Sequence, residues 1–392
     1  MRKILVVHNR YTQHGGEDEA VAAEIAMLRS RGHEVVELFE DNRRAHNLGR
    51  LHVAATTIWS REWHRSLTDV LRRFRPDIAH FHNTFLLISP SAYYACRDAG
   101  VPVVQTLHNY RLLCPKAIML RDGEACHLCV GRAIPWPGVW HACYRGSRAE
   151  TAVVASMLTI HRMLGTWQDR VHAYIALTDF ARRTFVEGGL PADKLFVKPN
   201  FIDPDPGLGD ARGEYVLFVG RLAEDKGLTL LLRAWALCRP SVALKIIGDG
   251  PLRGSLAETL RQLPGVELLG WKPKGEVINQ MKGAAFLVLP SLAYEGFPMV
   301  IAEAYATGLP VIASGHGSLA EIIIDGQTGL LSRPGDALDL GAKIRTLLND
   351  NGGRARMREH ARAEFVAKYS AKMNYSKLAG VYTTVVAQPR YA

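Results

Sequence analysis

The sequence predicts an α/β protein built from two doubly wound domains, each with a parallel sheet covered by helices. Three observations lead to this expectation. The chain has 392 residues, more than one hydrophobic core normally spans. Short and nearly continuous apolar runs alternate with helical stretches, as strands buried on both faces require. A stretch rich in proline and glycine follows residue 198 and divides the chain into two halves of this kind.

The composition is that of a globular protein, with 48% hydrophobic and 22% charged residues. No apolar run reaches the roughly 18 residues of a membrane span. The apolar run that precedes His8 is too short for the core of a secretory signal and is typical of a first strand. We therefore expect a cytoplasmic protein.

The first half alternates strand and helix patterns. Val21, Ile25 and Leu28 share one face of a predicted helix over residues 19–31, which separates the first two strands. Ligands of such sheets bind beyond the carboxyl ends of the strands. The strands predicted in this half are 4–7, 35–39, 78–81, 103–107, 174–176 and 195–198.

The loop after the first strand contains two adjacent glycines, Gly15 and Gly16, before a run of acidic residues. Glycine lets the backbone approach a ligand closely, and acidic residues suit the start of a helix. The acids argue against a phosphate at this place. The loop is either a ligand contact, with Gly16 nearest the ligand, or an ordinary strand-to-helix turn.

The second half begins with another continuous strand, residues 215–219, followed by the loop GRLAEDKG. Arg221 and Lys226 in this loop suit a pyrophosphate at the ligand-binding end of the sheet. Gly248 and Gly250 lie in GDGPLRG, whose glycine spacing departs from the dinucleotide fingerprint. The further strands predicted are 244–247, 266–269, 285–289, 311–313 and 330–331.

The stretch LPSLAYEGFPMVIAE combines a loop carboxylate with a helix start. Pro298 suits the first helical position, so the amides of Met299 and Val300 would point out of the helix end toward an anion. Glu295 then lies in the loop, and Glu303 lies about 7.5 Å along the helix axis. The Glu295 carboxylate, the amides at the helix end and the Glu303 carboxylate could contact a sugar, a phosphate and a ribose, in that order. Either glutamate taken alone is more often a solvated surface residue.

Glu295 and Glu303, separated by seven residues within EGFPMVIAEA, resemble the paired-glutamate motif of the retaining glycosyltransferases of family four. That family uses nucleotide-sugar donors and the two-domain GT-B fold. The resemblance implies that Glu295 lies by the transferred sugar and that Glu303 holds the ribose hydroxyls. It also implies that Arg221 and Lys226 contact the diphosphate. The backbone at Gly248 and Gly250 would approach the nucleotide.

The resemblance extends to the first half. His108 follows the fourth strand, where the family has a histidine near the transferred sugar, but Asn109 replaces the family's aspartate. The loop at Gly16 would approach donor sugar and acceptor. The resemblance implies an acceptor-side domain over 1–201, a nucleotide-sugar-binding domain over 202–365, and a helical tail, 366–392, that crosses back to the first domain.

Four of the six cysteines fall between residues 111 and 172, with the spacing C-x11-C-x2-C-x13-C. In a reducing compartment this arrangement indicates a structural zinc site with four thiolates and no open position. The alternative interpretation is that these four cysteines are buried apolar residues. The residues concerned are Cys114, Cys126, Cys129 and Cys143.

The net charge of +10 is concentrated in the first half. Between residues 43 and 75, eight arginines face two acidic residues. Such an excess can be a solvated face, a nucleic-acid footprint or a contact with anionic lipid. Ile58, Trp59 and Trp63 among these arginines favour the membrane surface. The apolar segment 152–167 is either a buried helix or a second membrane contact.

These observations together favour a retaining, metal-independent glycosyltransferase of bacterial exopolysaccharide, capsule or lipopolysaccharide assembly. Arg221, Lys226 and the amides after Pro298 would stabilise the leaving diphosphate, Glu295 would orient the sugar, and His108 would contact it. The acceptor would be a glycan or a polyprenyl-diphosphate-linked glycan at the inner membrane face, and no nucleic acid partner is expected. The alternatives are a sugar-nucleotide epimerase or hydrolase of the same fold and a non-catalytic nucleotide-sugar-binding protein.

Overall fold

The computed structural model describes residues 1–12, 15–210, 213 and 215–387. The chain separates into two compact units. The first unit contains residues 1–119, 127–199 and the C-terminal segment from residue 372, and the second contains residues 120–126 and 200–371. The chain thus changes unit after Pro199, within the stretch rich in proline and glycine.

Each unit contains a six-stranded sheet in which every pair of neighbouring strands is parallel. The predicted fold class is therefore confirmed. The strands of the described chain are β1 (Lys3–Arg10), β2 (Glu34–Asp41), β3 (Ile78–Asn83), β4 (Val103–Leu107), β5 (Leu120–Arg121), β6 (Glu124–Ala125), β7 (Ala173–Ala176), β8 (Leu195–Val197), β9 (Tyr215–Val219), β10 (Ala243–Ile247), β11 (Val266–Gly270), β12 (Phe286–Leu289), β13 (Val311–Ser314) and β14 (Gly329–Ser332).

Helices connect the strands, as parallel pairing requires. They are α1 (Gly16–Ser30), α2 (Arg50–Ile58), α3 (Arg61–Phe74), α4 (Ser91–Asp98), α5 (Trp136–Trp140), α6 (Arg148–Met163), α7 (Thr166–Asp169), α8 (Asp179–Glu187), α9 (Leu228–Cys238), α10 (Arg253–Arg261), α11 (Lys274–Gly283), α12 (Met299–Ala306), α13 (Gly317–Ile322), α14 (Ala337–Asn349), α15 (Asn351–Glu364) and α16 (Ala371–Ala387). Within the described residues, no helix is both long and apolar enough to span a membrane.

The strand order of the first sheet is β2-β1-β3-β4-β7-β8, and that of the second is β11-β10-β9-β12-β13-β14. In each sheet the order reverses beside the first strand, between β1 and β3 and between β9 and β12. Ligands of open α/β sheets bind at such a reversal of strand order, outside the carboxyl ends of the strands. The loops after β9 and β12 are those that carry Arg221, Lys226 and Glu295.

The hydrophobic cores lie between the sheets and their helices. All residues of β3, β4, β12 and β13 are buried, which explains the apolar character of β12 and β13 and the short apolar runs of β3 and β4. The start of α1 is stabilised by its acidic first turn, because the Asp18 carboxylate accepts a hydrogen bond from the Gly15 amide at 3.1 Å. The antiparallel pair β5 and β6 is too short to show periodicity, and the sequence did not predict it.

The C-terminal helix α16 packs in the first unit. Leu378, Val381, Tyr382 and Val385 are buried on one of its faces. The Tyr382 hydroxyl lies 2.8 Å from Nδ1 of His80 on β3, and Asn374 donates a hydrogen bond to the Pro199 carbonyl at 2.6 Å. The last helix is therefore part of the core of the first unit.

Removing apolar volume from α16 should destabilise the protein. Leu378→Ala would leave a cavity at a fully buried position and should lower the free energy of unfolding by about 2–5 kcal/mol. Thr384→Ala, an exposed change on the same helix, serves as the control and should alter it by less than about 0.5 kcal/mol. Urea unfolding measures both; equal effects would contradict the packing of α16 described above.

Candidate functional site

Two loops at the strand-order reversal of the second unit are in direct backbone contact. The amide of Leu292, after β12, donates to the carbonyl of Asp225, after β9, at 2.9 Å. At Gly227 a Cβ atom would lie 1.9 Å from the Pro290 carbonyl oxygen, and the φ of this residue is +69°. A glycine at residue 227 therefore permits both the left-handed turn and the close approach of the two loops.

Lys226 and Glu295 form an ion pair across this loop contact. Lys226 Nζ lies 2.6 and 2.9 Å from the two carboxylate oxygens of Glu295, and the Ser291 hydroxyl donates to Oε1 at 2.7 Å. The side chains of Lys226 and Glu295 are 23% and 13% exposed. The structure thus brings together two of the predicted catalytic residues and adds Ser291, for which the sequence carried no signal.

Arg221 lies in the same loop as Lys226 and is also paired with a carboxylate. Its Nη2 is 2.9 and 3.0 Å from the two oxygens of Asp225. Asp225 is buried, whereas half of the Arg221 side chain is exposed. The buried Asp225 carboxylate holds the Arg221 guanidinium at the loop surface. The remaining N–H groups of Arg221 can donate to a ligand.

The helix α12 starts one residue later than predicted. Pro298 is the residue before the first turn, with a φ of −74° and a ψ of 109°, and the amide of Ile301 donates to its carbonyl at 3.0 Å. The amides of Met299 and Val300 remain at the helix end. Glu303 is only 7% exposed, and its carboxylate lies 3.5 Å from Nζ of the half-exposed Lys274.

Gly248 and Gly250 serve loop packing in this structure. A Cβ atom at Gly248 would lie 1.9 Å from the Gly220 carbonyl oxygen, and one at Gly250 would lie 2.5 Å from that of Leu222. Both glycines therefore let the loop after β10 lie against the loop after β9. Their predicted approach to a nucleotide stays a prediction, while the contact they make here is with the Arg221 loop.

In the first unit, His108 follows β4 and contacts a second histidine. Its Nε2 lies 2.9 Å from Nδ1 of His82 on β3. Burial lowers the pKa of both imidazoles, that of His82 to about 3 and that of His108 well below its usual range. The nearby histidines lower both values further. Both rings are therefore neutral at physiological pH.

A buried charge orients this histidine pair. Glu24 Oε1 lies 3.4 Å from His82 Nε2, and Lys198 Nζ lies 2.8 Å from the other oxygen of Glu24. Burial opposes ionisation of Glu24, but Lys198 and His80 outweigh it and hold the pKa of this carboxyl well below its usual value. Because Glu24 is an anion, His82 must carry its proton on Nε2 to avoid lone-pair repulsion. His82 Nδ1 then accepts from His108 Nε2–H, which leaves His108 Nδ1 as an acceptor for a ligand.

Glu24, His80 and His82 also have the atom types of a metal site, with ligand atoms all within 4.8 Å of one another. Their hydrogen bonds argue for a different role. Lys198 already supplies a positive charge to Glu24, and both nitrogens of His80 are engaged, by Tyr382 and by the Thr106 hydroxyl at 2.8 Å each. We therefore interpret this cluster as the support of His108.

Asn109 occupies the position at which the family has an acid. Its amide donates to the Tyr11 hydroxyl at 2.9 Å and lies 3.5 Å from a carboxylate oxygen of Glu17. Burial raises the pKa of Glu17 to about 8. Glu17 thus brings a carboxyl beside Asn109 from the start of α1. Gly16 is exposed at the first turn of α1, and residues 13 and 14 of its loop lie outside the described residues.

Among the residues that the structure describes, no three of the four predicted thiols lie within mutual reach of one metal ion. Cys129 is buried, with its Sγ 3.8 Å from the Pro135 carbonyl. Within the described part of the chain, Glu24, His80 and His82 form the group found with three metal-ligating atoms in mutual reach, and no thiol belongs to it. The four-thiolate zinc site therefore stays a prediction without support from the geometry.

The expectation that the tryptophans of the basic run face a membrane is wrong for Trp63. This residue is 7% exposed, and its indole Nε1 donates to Glu40 Oε2 at 2.7 Å. The Trp59 ring stacks on His161 with 6.2 Å between centroids. Arg43 and Arg44 pair with nearby carboxylates. This face of the chain is therefore mainly charged, and its exposed aromatic surface comes from Trp59, which is 37% exposed.

Comparisons with known proteins agree with this architecture. Residues 15–206 match the family described as Glycosyltransferase Family 4, and residues 205–364 match Glycosyl transferases group 1. Over 318 residues the chain is 27% identical to the glycogen synthase of Mycobacterium tuberculosis, an alignment that covers 79% of this chain and 69% of that protein.

Over 234 residues the chain is 31% identical to the phosphatidyl-myo-inositol mannosyltransferase of Mycobacterium leprae, covering 57% of this chain and 62% of that one. For other curated relatives, the alignment with this chain covers as little as 20% of the relative's own length. Among solved structures, Anabaena Alr3699/HepE in complex with UDP-glucose superposes with a TM-score of 0.67 at 18% identity, covering 98% of this chain and 100% of that one. At this identity the likeness is one of fold.

A methyl group at residue 248 should disrupt the loop packing. Gly248→Ala would place Cβ against the Gly220 carbonyl and would hold alanine at a φ of +144°, so it should lower the free energy of unfolding by about 2–4 kcal/mol. Gly254→Ala, in α10 with open space around it, should be neutral or stabilising by up to about 1 kcal/mol. Urea unfolding compares the two; equal stabilities would contradict the close approach.

The orientation of the histidine pair can be read by nitrogen NMR. We expect both His82 and His108 to carry their proton on Nε2 and to remain neutral on acidification to about pH 5, because their pKa values are lowered by burial. Below about pH 6.5 the histidines of the unfolded chain bind protons, whereas the buried ones of the folded protein do not. The free energy of unfolding therefore falls as the pH drops from about 6.5 toward 3. A proton on Nδ1 of His108 at neutral pH would refute the assignment; His108→Gln identifies its resonance.

Proposed function

We propose, from the premise that the two halves of this chain match Glycosyltransferase Family 4 and Glycosyl transferases group 1, that the protein is a retaining glycosyltransferase. It would move a sugar from a nucleotide-diphosphate sugar to a glycan or lipid-linked acceptor. Glycosyltransferase function is supported by the relatives. A nucleotide-sugar donor is supported by the structural neighbour that binds UDP-glucose.

The observation that supports the proposal most is the ion pair of Lys226 with Glu295 at the strand-order reversal of the second unit. Arg221 lies in the same loop with half of its side chain exposed. Two cations beyond the carboxyl ends of β9 and β12 suit a diphosphate, and the carboxylate between these loops suits sugar hydroxyls. A glycosidase has no use for the two cations, because no phosphate takes part in its reaction.

In the proposed mechanism the negative charge that grows on the leaving diphosphate is stabilised by Arg221, Lys226 and the amides of Met299 and Val300. These groups, rather than a metal ion, are assigned the neutralising role. Both cations have a carboxylate partner in the structure, so they are held in place before the donor binds. The donor diphosphate then accepts hydrogen bonds from the remaining N–H groups of the two cations, while each cation keeps its carboxylate partner.

Glu295 is assigned to the transferred sugar and Glu303 to the ribose hydroxyls. Lys226 and Ser291 hold the Glu295 carboxylate by three hydrogen bonds of 2.6, 2.7 and 2.9 Å, so its orientation is set before the sugar arrives. His108 would accept a hydrogen bond from a sugar hydroxyl through Nδ1. In this proposal, donor recognition is assigned mainly to the second domain and acceptor recognition to the first.

The acceptor is proposed to be a lipid-linked glycan at the inner face of a bacterial membrane, in surface-polysaccharide assembly. Two observations support this choice. The first 201 residues carry 26 basic and 19 acidic residues, a local excess of +7 that suits an acceptor diphosphate and anionic headgroups. One of the relatives acts, by its name, on phosphatidyl-myo-inositol.

The test starts from a panel of UDP-, GDP- and ADP-sugars, from which thermal stabilisation selects the donor. With that donor, Glu295→Gln should lower the turnover number by about 100- to 1,000-fold and leave the thermal stabilisation largely intact, because the carboxylate acts on the sugar in the transition state. Glu267→Gln, an exposed change on β11, is the control and should keep wild-type turnover.

Product analysis with a labelled donor separates the alternatives. Transfer with an unchanged anomeric configuration supports the proposal, whereas inversion contradicts a retaining mechanism. Release of free sugar as the sole product would indicate a hydrolase, and a changed nucleotide sugar would indicate an epimerase. A donor that binds but is not turned over with any acceptor offered would favour a non-catalytic binding protein.

A further inference from the structure

An apolar groove lies on the surface of the first unit, between α5 and α6. Its volume is about 520 Å³. The groove lies in the region of the sequence that contains the cysteines. We call it the aromatic groove; its lining residues are Ile134, Trp136, Val139, Trp140, Arg148, Ala152, Ala155, Ser156, Thr159 and Ile160.

Large apolar side chains in this groove are unusually exposed. Ile134 and Trp136 are each 55% exposed, and Trp140 is 64% exposed. Trp167 and Trp235 of the same chain are almost completely buried. Each exposed tryptophan keeps apolar area in water, and burial of that area would be favourable. Several such residues on one surface mark an interaction site.

The helix α6 extends this surface. Its inner face, with Val154 and Leu158, is buried in the core, so the segment is a packed helix on that side. Its outer side carries Ile160 in the groove, and Met163 lies three residues further, on the same side, with 83% exposure. For segment 152–167 the sequence left open a buried helix or a membrane contact, and the buried inner face supports a packed helix on that side.

Arginines border the aromatic groove. The guanidinium of Arg132 lies 5.6 Å from the ring centroid of Trp136, and that of Arg148 lies 5.4 Å from the ring of Trp140. Between residues 128 and 164 there are four arginines and one acidic residue, Glu150, so the local excess is +3. Glu150 is itself paired with arginines. The apolar surface is thus flanked by positive charge.

We propose that the aromatic groove and its arginines dock the protein on an anionic lipid bilayer. Tryptophan rings at headgroup level and arginines on lipid phosphates are the combination that membrane interfaces favour. A second copy fits poorly, because a two-fold contact through this surface would bring the same arginines face to face. The inference deepens the membrane contact of the proposed function and assigns it to residues 132–163 instead of the arginines of residues 43–75.

Vesicle sedimentation of the full chain tests the docking surface. The wild-type protein should bind vesicles of phosphatidylcholine mixed with phosphatidylglycerol and should bind pure phosphatidylcholine weakly. The double variant Trp136→Ala with Trp140→Ala should bind the mixed vesicles at least about tenfold more weakly. Trp271→Ala is the matched control, since Trp271 is 70% exposed in the second unit, and it should bind as wild type does.

The contribution of charge has its own variant. Arg132→Gln with Arg148→Gln should weaken binding to mixed vesicles and reduce its dependence on salt, because the screened interactions are removed. Unchanged thermal unfolding of every variant confirms that the fold is intact. Wild-type binding by the tryptophan double variant, or an equal loss with Trp271→Ala, would overturn the proposal. The proposal would also be overturned if the protein did not bind vesicles and instead formed a dimer that the tryptophan substitutions dissociate.

Vesicle binding requires neither donor nor turnover, which keeps this inference separable from the proposed function. Transfer to a water-soluble acceptor that persists while vesicle binding is absent would refute the docking surface alone. Vesicle binding that depends on Trp136 and Trp140, in a protein without transferase activity, would refute the proposed function and support the surface.

Discussion

Every strand of both six-stranded sheets runs parallel to its neighbours, and this constraint determines where chemistry can occur in the molecule. Parallel strands end on the same edge, so all loops that follow a strand are gathered there. Ligands of such sheets bind where the strand order reverses. In the second unit this place lies between β9 and β12, and the loops that begin there carry Arg221, Lys226 and Glu295. Lys226 and Glu295, 69 positions apart in sequence, thereby become hydrogen-bonding partners.

Close packing of these loops depends on glycine. Gly227 and Gly248 lie where a Cβ atom would be 1.9 Å from a carbonyl oxygen of a neighbouring loop. Because these glycines have no side chain, the backbones of the loops after β9, β10 and β12 can come into contact. This contact sets how far the side chains of Arg221 and Lys226 extend. The close approach of the loops at these glycines therefore determines both the packing and the electrostatics of the site. A larger residue at either position would separate the loops before it affected any ligand.

The candidate ligand-contacting groups of the two units differ in burial. In the second unit the charges of Lys226 and Glu295 are partly exposed, so solvent shares the cost of ionisation and both remain available to a charged ligand. In the first unit His82 and His108 are deeply placed, and burial keeps them neutral. A charged cluster suits a diphosphate, and a neutral imidazole with a fixed tautomer suits a hydroxyl. The proposed division between phosphate and sugar recognition follows from this difference in burial.

The sequence alone determined the twelve strands of the two sheets, the two-domain α/β organisation and the position of Arg221, Lys226 and Glu295 in loops that follow the strands. These features depend on local periodicity and on the residues that directly follow a strand, which are properties of contiguous segments. Tertiary structure alone decided which side chains meet. Glu24, His82, His108 and Lys198 come from separate elements, and strand order and register bring them together. Likewise, Trp63 is buried and Trp136 is exposed because burial depends on what packs over a residue, which composition does not encode.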